Sequence, residues 1–273
     1  MKLSCLPVSF FNDITCGKMS VAEWARMGAG LKLDAVDLSI LFLPERSIKA
    51  AETIRRQVEA EGIRITMLTT YPDFTHPDPV QRKKELELEI EAVHLAAALG
   101  ALFIRVTAGQ AHPETSSQDG INWAANGLSQ LVETAGNLGV QLAYENHAKP
   151  GAWQYTDFSQ PPEKFLEILS RVPSSCLGVN FDTGNATAFA SDPVAFLKQI
   201  VKRVVSVHAS DTSEVGRLNH VLLGTGVTPF QALFRGLKSS GWDGWICMEE
   251  ASGLGRQGVE IAANTIRRIW AEV

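Results

Sequence analysis

With 273 residues, 45% of them hydrophobic and 20% charged, the chain has enough apolar mass for a sizeable core and too little charge for a disordered polymer. Its formal net charge of −5 repels phosphate backbones and anionic lipid, which argues against nucleic acid or a membrane surface as the main partner. No apolar run approaches the roughly 20 residues of a membrane span, and Asp13 interrupts the apolar start before it forms a secretory core. The four cysteines, Cys5, Cys16, Cys176 and Cys247, form no CxxC pair and no short framework. They read as buried or incidental thiols of a reducing compartment, so the expectation is a cytoplasmic protein, intact from residue 1.

Short apolar runs alternate with longer amphipathic segments. Residues 3–10 and 34–40 read as strands around a helical stretch near 20–31. A helix over 45–61 stops at Gly62, strand 63–70 follows, and a proline-containing loop (71–79) leads into a strong helix over 80–99. Strand 101–107, helix 119–138 and strand 140–145 come next, then a long loop, 146–162. Helix 162–171, strand 177–182, helix 192–202 and strand 203–208 complete the seventh strand. A loop holding Leu223-Gly224-Thr225-Gly226 precedes helix 228–239, strand 244–249 and a last helix over 256–272.

Eight strands and eight helices give a mean unit of about 34 residues. Helical crossovers return the chain to the same end of a sheet, so the strands run parallel. Several are apolar on both faces, as a helix-covered parallel sheet requires. The prediction is an α/β fold, a single (β/α)₈ TIM barrel forming one domain over 1–273. A doubly wound open sheet is the runner-up, but no GxGxxG follows the first strand.

In such a barrel the reactive groups sit at the C-terminal ends of the strands. The fifth to eighth strands end in Glu145, Asp182, His208 and Glu249, separated by 37, 26 and 41 residues, roughly one βα unit each. Polar residues commonly end strands, so any one of these means little. Four consecutive strand ends with three carboxylates and one imidazole point to one divalent metal, whose charge offsets their mutual repulsion. Oxygen donors with one imidazole suit Mn²⁺, Mg²⁺, Co²⁺ or Zn²⁺.

Y-E-N-H at 144–147, N-F-D-T-G-N at 180–185, V-H-A-S-D at 207–211, L-G-x-G at 223–226 and G-W-D-G-W-I-C-M-E at 241–249 resemble the xylose isomerase-like TIM-barrel family. That family includes sugar and sugar-phosphate isomerases, ketose 3-epimerases, hydroxypyruvate isomerases and inosose dehydratases, and endonuclease IV shares its fold. The resemblance spans nearly the whole chain and is strongest from 140 to 250. It implies that Glu145, Asp182, His208 and Glu249 are the metal ligands, and that Glu145 and Glu249 are the acid–base pair entering from opposite sides of the mouth. The reaction implied is isomerisation or epimerisation of a sugar, keto-sugar or sugar phosphate by proton transfer through an enediolate. A lyase that dehydrates a keto-cyclitol or cleaves a keto-sugar begins with the same proton abstraction and is the alternative. A non-catalytic sugar-binding barrel is a third reading. A small sugar-derived substrate and a homo-oligomer, dimer or tetramer, are the expected partners.

Around this core, His147, Asn185, Arg217 and Trp153 are candidates for substrate contact. Asp211 is a candidate to orient His208, with a loop cap as the competing role. Lys149 and Tyr155 are weaker candidates in the loop after the fifth strand. His76 and His112 read as loop structure, His94 as a packed helix histidine, and Arg105 as a barrel residue paired internally. Glu250 points away from Glu249 and is left out. Where many relatives have histidine three residues after the strand-six aspartate, this chain has Asn185, which hydrogen-bonds but cannot relay a proton. An Asp-x-His pair is likewise missing from the strand-seven loop, which reads Arg217-Leu218-Asn219-His220. Both departures weaken the transfer of a specific ketose epimerase activity and of a DNA-repair role.

Overall fold

Each apolar run is followed by a helix that carries the chain back across the sheet, and the consequence is a barrel. The computed structural model describes residues 1–149 and 151–273. Its strands are β1 (Lys2–Leu6), β2 (Val36–Ser39), β3 (Ile65–Thr69), β4 (Phe103–Val106), β5 (Gln141–Glu145), β6 (Leu177–Asp182), β7 (Val204–Ala209), β8 (Thr212–Glu214), β9 (Arg217–His220) and β10 (Trp245–Glu249). Eight of them form one parallel sheet in the order β1-β10-β7-β6-β5-β4-β3-β2, the expected (β/α)₈ barrel. No ladder joins β1 to β2 among the described residues. One backbone bond and two side chains close that seam instead: the Asp34 amide donates to the Leu3 carbonyl oxygen at 2.8 Å, the Leu3 amide to the Asp34 carboxylate at 2.7 Å and the Ser4 hydroxyl to Asp37 at 2.6 Å.

The helices are α1 (Phe11–Thr15), α2 (Val21–Gly30), α3 (Ile48–Ala60), α4 (Pro79–Ala98), α5 (Ser117–Leu138), α6 (Pro162–Arg171), α7 (Thr183–Phe189), α8 (Pro193–Ile200), α9 (Phe230–Ser239) and α10 (Gly255–Glu272). Their starts follow cap chemistry: Ser20 and Glu23 make a reciprocal capping box on α2, and Asp78 followed by Pro79 opens α4. Among the described residues ten helices stand where eight are expected. The additional α1 and α7 are too short to show an amphipathic period. The first strand is shorter than expected because Pro7 ends it at Leu6 and a 3₁₀ turn follows. His94, expected to pack, is exposed on α4.

Beneath the strand ends, Met67, Phe103, Ala143 and Trp245 form a separate apolar cluster. Phe103, Ala143 and Trp245 precede Arg105, Glu145 and Cys247 by two residues, so each points to the same inner face as its partner. This plug closes the barrel below the mouth.

The β7–α9 segment, read from sequence as a loop, folds into the antiparallel hairpin β8–β9. Asp211 anchors it. Its Oδ1 accepts the amides of Thr212 (2.9 Å) and Thr228 (3.1 Å), and its Oδ2 those of Gly224 and Gly226 (both 2.9 Å). The orienting role for Asp211 on His208 is therefore corrected: both oxygens are consumed by backbone donors, and the residue caps a loop. Gly226 is required for this closure, since a Cβ there would lie 2.2 Å from the Thr212 carbonyl oxygen. Replacing Asp211 by alanine orphans four amides and is expected to destabilise the protein by about 2–4 kcal/mol in a denaturant melt. Divalent-ion affinity should stay unchanged; an orienting role would cost it about 10–100-fold.

Candidate metal centre

The ends of β5, β6, β7 and β10 bring Glu145, Asp182, His208 and Glu249 together. One ligand atom from each lies within 4.8 Å of all the others. His208 Nδ1 is 3.2 Å from Glu145 Oε1 and 3.0 Å from Glu249 Oε1. Asp182 is register partner to His208 across β6 and β7. Glu145, Asp182 and His208 are fully buried, whereas the Glu249 side chain keeps 14% of its surface open.

The neighbours fix these side chains. Ser210 Oγ donates to Asp182 Oδ1 at 2.9 Å, and the Asn185 amide donates to the same oxygen at 2.6 Å. Asn146 clamps the Asp182 backbone from both sides, its Oδ1 accepting the amide and its Nδ2 donating to the carbonyl oxygen. Gly184 is needed because a Cβ there would meet Ser210 Oγ at 2.3 Å. Arg105, on β4, pairs through Nε with Glu145 Oε2 at 2.7 Å, donates from Nη1 to the Thr70 carbonyl oxygen and lies over the Tyr71 ring. His208 Nε2 faces Met67 Sδ at 3.3 Å, which leaves Nδ1 turned toward the carboxylates.

Electrostatics test whether a cation fits. Burial, reinforced by Glu249 and Glu145, drives the Asp182 carboxyl well above the usual carboxylate range. Burial alone would raise Glu145 too, but Arg105 and His208 hold it below its ordinary value. Burial opposes the charge on His208, yet Glu145, Cys247 and Glu249 raise its pKa well above that of free imidazole. The protein alone thus carries more negative charge than Arg105 and His208 neutralise, and Asp182 is pushed toward protonation. Three oxygen donors and one imidazole nitrogen crowded this way suit one divalent cation, which would remove that push.

Beside the cluster opens a cavity of about 610 Å³. Glu249, Arg105, His147 and Trp153 line one side. His147 and Trp153 meet edge to face, with ring centroids 6.4 Å apart. Gln110 Oε1 accepts the Gln154 and Tyr155 amides and so holds the Trp153 segment in place. Burial lowers His147 to about 4, so its imidazole is neutral.

The remaining candidates fall elsewhere. Asn185 lines a small separate space with Asn146, His147 and Phe165, not the large cavity. Arg217 is exposed on β9 and is not among the cavity-lining residues. Lys149 is exposed; Tyr155 and His76 pack on His112, which bonds Asp73 at 2.8 Å. Glu250 indeed lies apart from the cluster, accepting Ser9 Oγ and the Ser252 amide and so fastening the β1 loop. Reasoning from sequence missed Ser210 and Asn146, although both stand inside the quoted motifs, and it did not link Arg105 to Glu145. It also missed Glu89, whose only signal is its place on the buried stripe of α4.

Residues 25–269 match the model of the xylose isomerase-like TIM barrel. The chain belongs to that family. An inosose dehydratase of Clostridium botulinum is 26% identical over 144 residues, 47% of this chain and 46% of that protein, so the match spans about half the relative's length. A D-tagatose 3-epimerase-like protein of known structure superposes with a TM-score of 0.80 at 22% identity, covering 100% of this chain and 99% of that one. The IOLI protein with a bound zinc atom superposes with a TM-score of 0.82 at 17% identity, again covering 100% and 99%. At these identities the superpositions establish the fold alone.

Glu89 lends itself to a direct measurement. Buried in the cavity wall, it is raised by that burial to about 7, against a Thr70 hydroxyl 2.5 Å away and the Arg105 charge, which act to lower it. A carboxyl raised by folding favours the folded state below its unfolded pKa, and that contribution is lost as pH climbs toward the folded value. Glu89→Gln is therefore expected to gain stability relative to wild type between about pH 5 and pH 8, by about 3 kcal/mol at most. Parallel denaturant melts at the two pH values check it.

Proposed function

We propose that this barrel is a divalent-metal-dependent isomerase or epimerase of a sugar, keto-sugar or sugar phosphate. The convergence of Glu145, Asp182, His208 and Glu249 beside an accessible cavity carries the reading. These four residues would hold the ion, which when bound supplies Lewis-acid stabilisation of negative charge developing on a substrate oxygen.

The protein's own groups do the rest. Glu249 is the ligand that lines the cavity, so its carboxylate takes the proton next to the substrate carbonyl. Glu145, held as a carboxylate against Arg105, is the reciprocal partner from across the cluster, and the proton returns to the other face or the neighbouring carbon. The neutral His147 offers a hydrogen bond to a substrate hydroxyl, and Trp153 a face for a sugar ring. Asn185 supports Asp182 through its backbone amide, which makes it a positioning residue.

A lyase on the same scaffold remains the second reading, supported by the likeness to an inosose dehydratase. It shares the first proton abstraction and differs in expelling a β-leaving group. Elemental analysis of the purified protein is expected to find a divalent metal, and chelation to abolish turnover until the ion is restored. With the ion restored, proton NMR in D₂O on a panel of sugars and keto-sugars separates the readings. An isomerase or epimerase exchanges one substrate proton and conserves mass, whereas a lyase releases water or an aglycone. Glu249→Gln and Glu145→Gln should each lower the rate by about 10²–10⁴-fold. Wild-type turnover in either variant rejects the assigned pair.

A further inference from the structure

One wall of the cavity comes from the loops after β1 and β2 and from α4. Four polar side chains stand on it: Asn12, Arg46, Glu85 and Glu89. At about 610 Å³ the whole space lies in the range of drug-sized ligand sites, so it holds a sugar together with a substituent.

The two acids on that wall are already committed. Glu85 accepts Gln81 Nε2 at 2.7 Å and the Asp73 amide at 3.3 Å. Glu89 Oε1 lies 2.5 Å from the Thr70 hydroxyl. That hydroxyl is also 2.8 Å from the Arg105 carbonyl oxygen, which can only accept. One hydroxyl hydrogen cannot serve both contacts, so Glu89 supplies the second proton as a neutral acid.

Arg46 and Asn12 are the opposite case. Both are exposed, and among the described residues neither side chain makes an ion pair or a hydrogen bond. Arg46 stands near enough to Glu89 for its charge to act on that carboxyl, yet no ion pair joins them. Arg105, the other arginine on the cavity, is held by Glu145 and the Thr70 carbonyl oxygen. Arg46 is thus the uncommitted positive charge among the described lining residues. A guanidinium has five donors and no acceptor, so whatever completes it must accept hydrogen bonds. Its planar fork matches the paired oxygens of a phosphate or a carboxylate. Asn12 adds an amide donor beside it, and hydrocarbon from Leu6 and Ile40 on the same wall lowers the local dielectric.

We infer that the substrate is an anionic sugar, whose terminal phosphate ester or carboxylate is received by Arg46 and Asn12 while its reacting carbon faces Glu249. The inference rests on the proton-transfer reading above and specifies which sugars that site takes.

Calorimetric titration of the Mn²⁺-loaded protein tests it, with fructose, tagatose and ribulose set against their terminal phosphates and against fructuronate and tagaturonate. In at least one pair the anionic compound should bind about 10–100-fold more tightly than the neutral one, the range of one hydrogen bond to a charged group. A preference confined to the phosphates assigns the anion as a phosphate ester, and one confined to the uronates as a carboxylate. Arg46→Gln should bring the ratio close to one, and Asn12→Ala should lower it severalfold, with Mn²⁺ affinity held in both. Both side chains are exposed, so neither variant threatens the fold. Phosphate oxygens can also bind Mn²⁺ directly, and a preference that survives Arg46→Gln places the anion on the ion and overturns the inference. Equal binding within every pair, including no binding of either member, does the same. The two readings fail separately. Proton exchange on neutral ketoses without an anionic preference sinks the Arg46 site and spares the chemistry. An Arg46-dependent preference with no exchange on any keto-sugar does the reverse.

Discussion

Mutual repulsion among Glu145, Asp182 and Glu249 is the constraint around which the mouth of this barrel is built. Three carboxyl groups share one buried space with His208, and solvation that would disperse their charge is excluded. Protein groups answer only part of that charge. Arg105 reaches across from β4 to Glu145, and His208 stands between Glu145 and Glu249. Asp182 is left with neutral donors, Ser210 and the Asn185 amide, and its carboxyl rises accordingly. Hydrogen bonds of this kind hold an anion's geometry without cancelling its charge. A divalent ion would supply the missing positive charge at the point where the donors already converge.

Much of this was legible in the sequence because barrels impose a rule on position. A polar residue that closes an apolar run at a strand's C-terminus faces the mouth, and four in succession at one-unit spacing must converge. All eight barrel strands appear where periodicity puts them, and Glu145, Asp182, His208 and Glu249 meet as expected. The misses share a cause. Asp211 and Arg217 sit in a segment whose hairpin has no apolar alternation to announce it, so where their side chains point depends on pairing between β8 and β9. Helix α7 begins directly after Asp182, which caps it, and seven residues leave no period to read. His94 misled because a helix with mixed faces leaves its buried stripe ambiguous to within one residue.

The cavity wall was illegible for a different reason. Its residues come from loops after β1 and β2 and from α4, far apart in sequence and individually unremarkable. Each, taken alone, reads as ordinary core or surface. What joins them is the seam, where among the described residues a single Asp34–Leu3 backbone bond and the side chains of Asp34 and Asp37 stand in place of a β1–β2 ladder.

The two halves of the mouth therefore differ in how strongly they are tied. On the β5–β10 side, buried hydrogen bonds run from Asn146 to Asp182 to Ser210, and a changed residue leaves an unsatisfied partner in a dry interior. On the β1–β3 side, apolar packing of Leu6, Ile40 and Ala92 stands alongside the Ser4–Asp37 and Thr70–Glu89 bonds, and its apolar part tolerates exchange of one hydrocarbon group for another of similar volume. Chemistry held by the first half is costly to alter, while the shape of the second half changes cheaply. A barrel tied in this way can keep the cluster of Glu145, Asp182, His208 and Glu249 while the loops above the seam change. The same physics explains why four residues at strand ends were legible in the sequence while the wall opposite them was not.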